Sequence, residues 1–185
     1  MIADVEKETQ SRMQQAVDHA REDLSTIRTG RAHPAMFSRL NADYYGAPTP
    51  LQQLATFNSP DPRIMLITPF DRSAISAIEK AIREADLGVN PSNDGNAIRV
   101  VMPQLTEERR KEYIKLAKAK AEDARIAVRN IRRHAIDALK KLEKKSEISE
   151  DELIRAEKAM DVTTKKYVDA VDELLKSKEA ELSEV

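Results

Sequence analysis

The sequence predicts an α+β fold: a long antiparallel three-helix bundle with a small inserted α/β domain, a β/α/β sandwich. Three observations carry this prediction. All four glycines and all eight prolines fall between Gly30 and Pro103, and such punctuation marks turns and short elements. On either side of that window, apolar residues recur every three or four positions, the period of one helix face. A chain of 185 residues that is 41% hydrophobic and 34% charged can bury a core but has room for only one domain or two small ones.

The first helix is predicted from a seam of Ile2, Val5, Thr9, Met13, Ala16, Ala20, Leu24 and Ile27, with its stop near Gly30, which would supply a left-handed residue while Arg28 complements the helix dipole. Within the insertion, residues 39–45, 51–57, 64–68 and 97–102 are β-branched or aromatic and bounded by turn residues, so each predicts a short strand. Residues 72–86 predict a helix whose one face is Ile75, Ile78, Ile82 and Ala85, capped by Asp71 or Ser73 and closed by Gly88 as the left-handed residue. From Ile114 a second seam runs through Ala117, Ala121, Ala124, Val128, Ile131, Ala135, Ala138 and Leu142. With Thr106 as N-cap it gives a rod of about 40 residues, roughly 60 Å long. The third helix starts at a capping box formed by Ser149 and Glu152, with Ile148 stapled against Leu153. Its seam is Leu153, Ala156, Met160, Thr163, Tyr167, Val171 and Leu174.

Three amphipathic helices need one another to stay dry, so they are expected to pack around a shared core at crossing angles of about 20°. The short loop at residues 143–148 makes the second and third antiparallel. The expected domains are therefore a discontinuous bundle of residues 1–30 and 104–185 and an inserted α/β domain of residues 31–103, joined by two short crossings.

Composition removes several functional classes. With no cysteine there is no disulfide framework, thiolate nucleophile or Cys-ligated zinc. No run approaches the roughly 18 apolar residues of a membrane span, and the acidic start lacks the apolar stretch of a signal peptide, so a cytoplasmic protein is expected. His19, His33 and His134 have no spacing that suggests metal ligation or an acid–base pair. Nor is there a glycine-rich phosphate cradle, so neither a catalytic site, a metal nor a cofactor is expected. Ser73 and Ser76 open a helix and are better explained as capping residues than as nucleophiles.

Charge is the informative property. Residues 105–145 hold 14 Lys and Arg against 7 Asp and Glu, a net +7, whereas residues 146–185 hold 6 against 12, a net −6. Acidic partners on the third helix would neutralise part of the basic rod. Yet Lys111, Lys118, Arg125, Arg129 and Arg132 form their own stripe one position off the core seam, with Arg133 beside it. Guanidinium groups in a row suit phosphate, because each offers a planar fork of donors and stays charged. Charge patterning alone leaves a solvated face and an RNA-contacting face open in equal measure. Arg31, past the first helix, need not be charged for capping, and with Arg28 could extend the basic surface.

Five motifs, Arg28-Thr29-Gly30-Arg31-Ala32, Tyr44-Tyr45-Gly46-Ala47-Pro48-Thr49-Pro50-Leu51, Phe70-Asp71-Arg72-Ser73, Leu105-Thr106-Glu107-Glu108-Arg109-Arg110-Lys111 and Val128-Arg129-Asn130-Ile131-Arg132-Arg133, stand in order along the chain. Together they resemble the ribosome recycling factor family over the whole length. His134 departs from the family's usual acidic residue. The resemblance implies a hinged α/β domain in the bundle, an elongated L outline similar to transfer RNA, and a monomer without cofactor. It implies binding to the large ribosomal subunit across the A and P sites after termination, with the bundle on ribosomal RNA. Elongation factor G would then drive the subunits apart, and the GTP hydrolysis would be that partner's. It implies RNA contact by Arg28, Arg31, Arg129, Arg132 and Arg133, then Arg109 and Arg110, and a hinge at Gly30, Arg31, Pro103, Gln104 and Leu105. The competing class is a coiled-coil scaffold for protein helices or a general RNA-binding protein, with an enzyme a distant third. Binding by a scaffold would depend little on salt, whereas binding to RNA would weaken steeply.

Overall fold

The structure is a computed structural model in which residues 1–184 are described. In chain order the elements are α1 (Ile2–Ser25), α2 (Ala35–Ser38), β1 (Asn41–Tyr44), β2 (Ala47–Pro50), β3 (Ala55–Asp61), β4 (Ile64–Pro69), α3 (Ile75–Glu84), β5 (Pro91–Asn93), β6 (Ile98–Val101), α4 (Glu107–Lys144) and α5 (Glu150–Ser183). They form two compact units, residues 1–28 with 107–184, and residues 29–106.

In the first unit α1, α4 and α5 pack against one another pairwise. One stretch of its core gathers Met13, Val17 and Ala20 with Ala121, Val128, Tyr167 and Val171, and another joins Ala135 and Leu139 to Ala156 and Met160. The expected seams are right in outline and slip in detail. Val17 rather than Ala16, Leu139 rather than Ala138, and Thr164 rather than Thr163 are the buried members. In each case the apolar repeat is seven residues, from Met13 to Ala20, Ala135 to Leu142 and Met160 to Tyr167, and it divides as four then three rather than three then four, a choice that periodicity alone does not make.

The ends of the helices have local causes. α1 stops at Ser25, short of Gly30, because its last turn is closed from within. The Thr26 hydroxyl donates to the Asp23 carbonyl at 2.7 Å, and the backbone N–H groups of Thr26 and Ile27 donate to Asp23 and Leu24. Arg28 therefore lies beyond the helix and does not serve its dipole, and the last turn holds no basic residue. α4 ends in a Schellman motif, with Ser146 left-handed at φ 59°, Ser146 N–H on the Glu143 carbonyl and Glu147 N–H on that of Leu142. α5 opens on the expected capping box: Ser149 Oγ accepts from Glu152 N–H at 3.1 Å and Glu152 Oε1 from Ser149 N–H at 3.2 Å.

The second unit holds an antiparallel four-stranded sheet in the order β3-β4-β6-β5 and a separate β1-β2 hairpin. Helix α3 packs against β1 and β5, and Phe37, Leu51, Met65, Ile67, Ile78, Ile82, Ile98 and Val100 form the core between them. Ile67 stands opposite Phe57 on β3 and Ile98 on β6, which sets the register across the sheet. Several expectations are corrected here. Residues 51–53 form a 3-10 turn, so that strand begins only at Ala55, while 35–38 form a helical turn that pushes the start of β1 to Asn41. β2 and β5, which were not expected, carry Pro48, Pro50 and Pro91. Both are edge strands, where a missing N–H costs no ladder bond. A 3-10 turn at Arg72–Ala74, capped by Asp71 accepting from Ser73 N–H, precedes α3. The left-handed residue just past α3 is Asp86 (φ 55°), two positions before Gly88 (φ 72°).

Candidate nucleic-acid interface

Along α4 each residue turns the side chain by about 100°, so positions can be placed against the buried line of Ala117, Ala121 and Val128. Arg125 and Arg132 fall about 45–65° from that line, on the flank beside α5, whereas Arg129 is about 105° away and Arg133 about 145°. The stripe read from sequence thus runs from the flank of the bundle out to solvent. Depth decides what each arginine can do.

Arg125 is held deepest. Its side chain is 18% exposed, its Nη2 lies 2.7 Å from Asp172 Oδ1 on α5, and its Nη1 lies 3.0 Å from Glu122 Oε2. Partial burial pulls its pKa down, but the hydrogen bonds to Asp172 and Glu122 outweigh this and the guanidinium is bound more firmly to its proton. Arg125, read from sequence as part of the basic stripe and a candidate for RNA contact, thus has its donors committed across the bundle. Arg132 makes a similar cross-helix pair, Nη2 and Nε to Asp161 Oδ1 at 2.6 and 2.7 Å, but with 39% of its side chain exposed. Arg129 reaches Glu122 Oε1 at 3.5 Å and is 56% exposed. Arg133 donates to the neutral Asn130 side chain at 3.0 Å. These three open a continuous cationic face toward solvent.

The other candidates scatter. Arg109 sits at the start of α4 beside Glu112, at 3.6 Å. Arg110 stands seven residues before Ala117, so it points along the core line, and its Nε is closed off from solvent with no hydrogen-bond partner. That placement removes it from an outward face. Arg28 is exposed in the bundle unit, while Arg31 belongs to the second unit. Gly30 (φ 79°), Arg31, Pro103, Gln104 and Leu105 all lie outside helices and strands. Among the described residues no group of His, Asp and Glu could hold a metal ion, and no helix is long and apolar enough to cross a membrane.

Against this geometry, the family model of the ribosome recycling factor matches residues 20–182. The chain belongs to the ribosome recycling factor family. The ribosome-recycling factor of Cutibacterium acnes is 62% identical over 184 residues, and that of Streptomyces avermitilis 62% identical over 185, each covering all of both chains. A solution structure of a ribosome recycling factor superimposes with a TM-score of 0.76 at 40% identity, over 100% of this chain and 98% of the other. A second similar structure presents the T. thermophilus ribosome recycling factor and the E. coli elongation factor G bound to the E. coli post-termination complex. It gives a TM-score of 0.67 at 45% identity, over 98% of each chain.

Within this recycling factor fold, sequence reasoning missed the carboxylates that face the stripe. Asp161 and Asp172 lie on another helix, so their pairing depends on the register of α4 against α5. Glu122 lies on α4 itself and was legible, since it precedes Arg125 by three residues and Arg129 by seven. The reading also passed over an exposed aromatic pair at the hairpin end of the second unit. Tyr45, 84% exposed, occupies a left-handed position (φ 52°) in the two-residue turn Tyr45-Gly46, and Phe70 is 69% exposed. Tyr44 connects them: its ring centroid is 4.5 Å from that of Tyr45, and its hydroxyl donates to Asp71 Oδ2 at 2.9 Å.

Proposed function

We propose that this chain docks the outer face of α4 on ribosomal RNA of the large subunit after termination, and that with elongation factor G and GTP it splits the post-termination complex. The observation that carries this reading is the row of Arg129, Arg132 and Arg133 on a chain 45% identical to a recycling factor described on that complex beside elongation factor G. Planar guanidinium forks held on a rigid helix give phosphate both charge and geometry. The residues carried forward as RNA contacts are Arg129, Arg132 and Arg133, with Arg28, Arg31 and Arg109 kept as separate candidates outside that row.

The inserted unit works as a separate domain, and the crossings at Gly30, Arg31, Pro103, Gln104 and Leu105 are its hinge. Their backbone belongs to no helix or strand, so bending there breaks no ladder. On this reading the chain is a monomeric lever in the cytoplasm, with no catalytic group or cofactor of its own, and elongation factor G supplies the GTP hydrolysis. The test is a chemical footprint of the purified chain on isolated large subunits, followed by subunit splitting with elongation factor G and GTP. Protected RNA at the docking face and splitting that needs all three components support the proposal. Binding insensitive to salt, with no protected nucleotides, would favour a scaffold for protein helices instead.

A further inference from the structure

We infer that Glu122 is an affinity-limiting residue: a carboxylate placed inside the cationic stripe that competes with RNA phosphate for Arg129 and keeps docking reversible. This rests on the proposal that α4 binds RNA. The net charge of α4 suggests a strong positive field, yet Arg125, Arg129 and Arg132 are matched by Glu122, Asp161 and Asp172 within 3.5 Å. A phosphate approaching this face therefore meets paired guanidinium groups and must displace a carboxylate.

The four pairs differ in how readily they open. Arg125 holds Glu122 at 3.0 Å and Asp172 at 2.7 Å and is largely shielded from water. Its pairs are held by burial and by two acceptors at once, so they stay closed. Arg129 is more than half exposed, and its contact with the second oxygen of the same carboxylate is the longest of the set, at 3.5 Å. An exposed pair of that length contributes little, whereas a phosphate offers two short charge-assisted bonds. Arg129 is thus the side chain that opens first. Glu122 cannot follow or withdraw far, because Arg125 anchors its other oxygen. When Arg129 turns to phosphate, a half-exposed negative charge remains beside the incoming anion. The geometry makes Glu122 a fixed opposing charge rather than a spectator, and its repulsion falls as salt screens it.

The experiment measures the affinity of the full chain for isolated large ribosomal subunits at two salt concentrations, for wild type, Glu122→Gln, Arg129→Ala and the double variant, with melting curves for each. Glutamine keeps the length and can still accept from Arg125, while Asp172 retains the ionic contact. Glu122→Gln is expected to bind roughly three- to tenfold more tightly at low salt, mostly through slower release, with the gain shrinking at high salt. In the Arg129→Ala background the same substitution should give less than half of that gain. Binding by Glu122→Gln that is equal to or weaker than wild type, in a variant that melts normally, overturns the inference. So does a gain that is unchanged without Arg129. Should Arg129→Ala and Arg132→Ala both bind like wild type, the RNA-facing reading of α4 fails first. If Glu122→Gln fails to fold, Glu122→Ala is read by the same criteria, and unfolding of both variants makes Glu122 a structural residue and also overturns the inference.

Discussion

Arg132 offers the sharpest test of the docking face, because its structural and functional roles predict opposite patterns of loss. Its guanidinium pairs with Asp161 at 2.6–2.7 Å, but the two side chains are 39% and 59% exposed. Solvent and counterions therefore discount the pair to about 0.2–1 kcal/mol. Arg132→Ala also gains a few tenths of a kcal/mol in helix propensity. The net loss of stability stays under about 1 kcal/mol, and a chain of this size should then melt within roughly 4 °C of wild type.

Binding should change more. A charge-assisted bond to phosphate contributes about 1.5–3 kcal/mol, from which the surrendered Asp161 pair must be subtracted. That leaves about 0.5–2.8 kcal/mol, or a roughly two- to hundredfold loss of affinity. The slope of log affinity against log salt should fall by a little under one unit. The assay is large-subunit binding at two salt concentrations beside a melting curve. Arg132→Lys retains charge without the planar fork, so partial rescue measures how much of the contact is bidentate. Asp161→Asn opens the same ion pair but keeps the guanidinium, and it should bind at least as well as wild type. If Asp161→Asn weakens binding as much as Arg132→Ala, Arg132 is a strut of the bundle and the reasoning fails. Wild-type binding by Arg132→Ala would refute it as well.

Arg125→Ala should show the reverse balance: a stability loss of about 1 kcal/mol, mainly from the largely buried arginine stem, since Asp172 and Glu122 are half exposed and are rehydrated, seen as a melting point a few degrees lower. The folded fraction of that variant should bind large subunits better than Arg132→Ala does. In the inserted unit, Gly46→Ala should cost about 1–2 kcal/mol through backbone strain alone, since Gly46 sits at φ 82° and an added Cβ would meet nothing within 4 Å. Faster hydrogen exchange of the β1-β2 amides would report it. The Asp71 carboxyl is held below the usual carboxylate range by the Ser73 backbone N–H first, and then by the Ser73 and Tyr44 side chains. A depressed folded pKa adds stability that is fully present above the unfolded value of about 3.9 and is lost as pH falls through the lower folded value. Asp71→Asn should therefore flatten the acid limb of the unit's stability profile below about pH 4, and an unchanged limb would contradict the assignment.

What was legible in the sequence follows from how many residues vote on each feature. The bundle seams average over many turns, so α4 and α5 could be placed from periodicity, and the Ser149/Glu152 box fixed the start of α5 through chemistry confined to four residues. The end of α1 escaped because a hydroxyl did the work expected of glycine. Thr26 closes α1 so that it ends at Ser25, five residues before the expected stop at Gly30, while Ser146 takes the left-handed position in the expected loop after α4. In the insertion, β2 and β5 were not foreseen: both carry proline, which a strand tolerates at an edge, and a linear pattern does not say which strand lies at an edge.

The site was legible in one dimension and missing in the other. Charge spacing located the stripe along α4, and the same angular arithmetic could have removed Arg110, which shares its azimuth with Ala117 and has a buried Nε. Whether an arginine is a ligand or a strut depends instead on what the neighbouring helix places opposite it. Arg125 and Arg132 are seven residues apart and nearly alike in azimuth, yet one is mostly buried between two carboxylates and the other stands in reach of solvent. Net charge cannot separate these cases, because α5 returns most of what α4 carries. On the proposed docking face, only the exposed end of the gradient, from Arg132 through Arg129 to Arg133, would trade its partners for phosphate, and the carboxylates that cancel the field would set how tightly that trade holds.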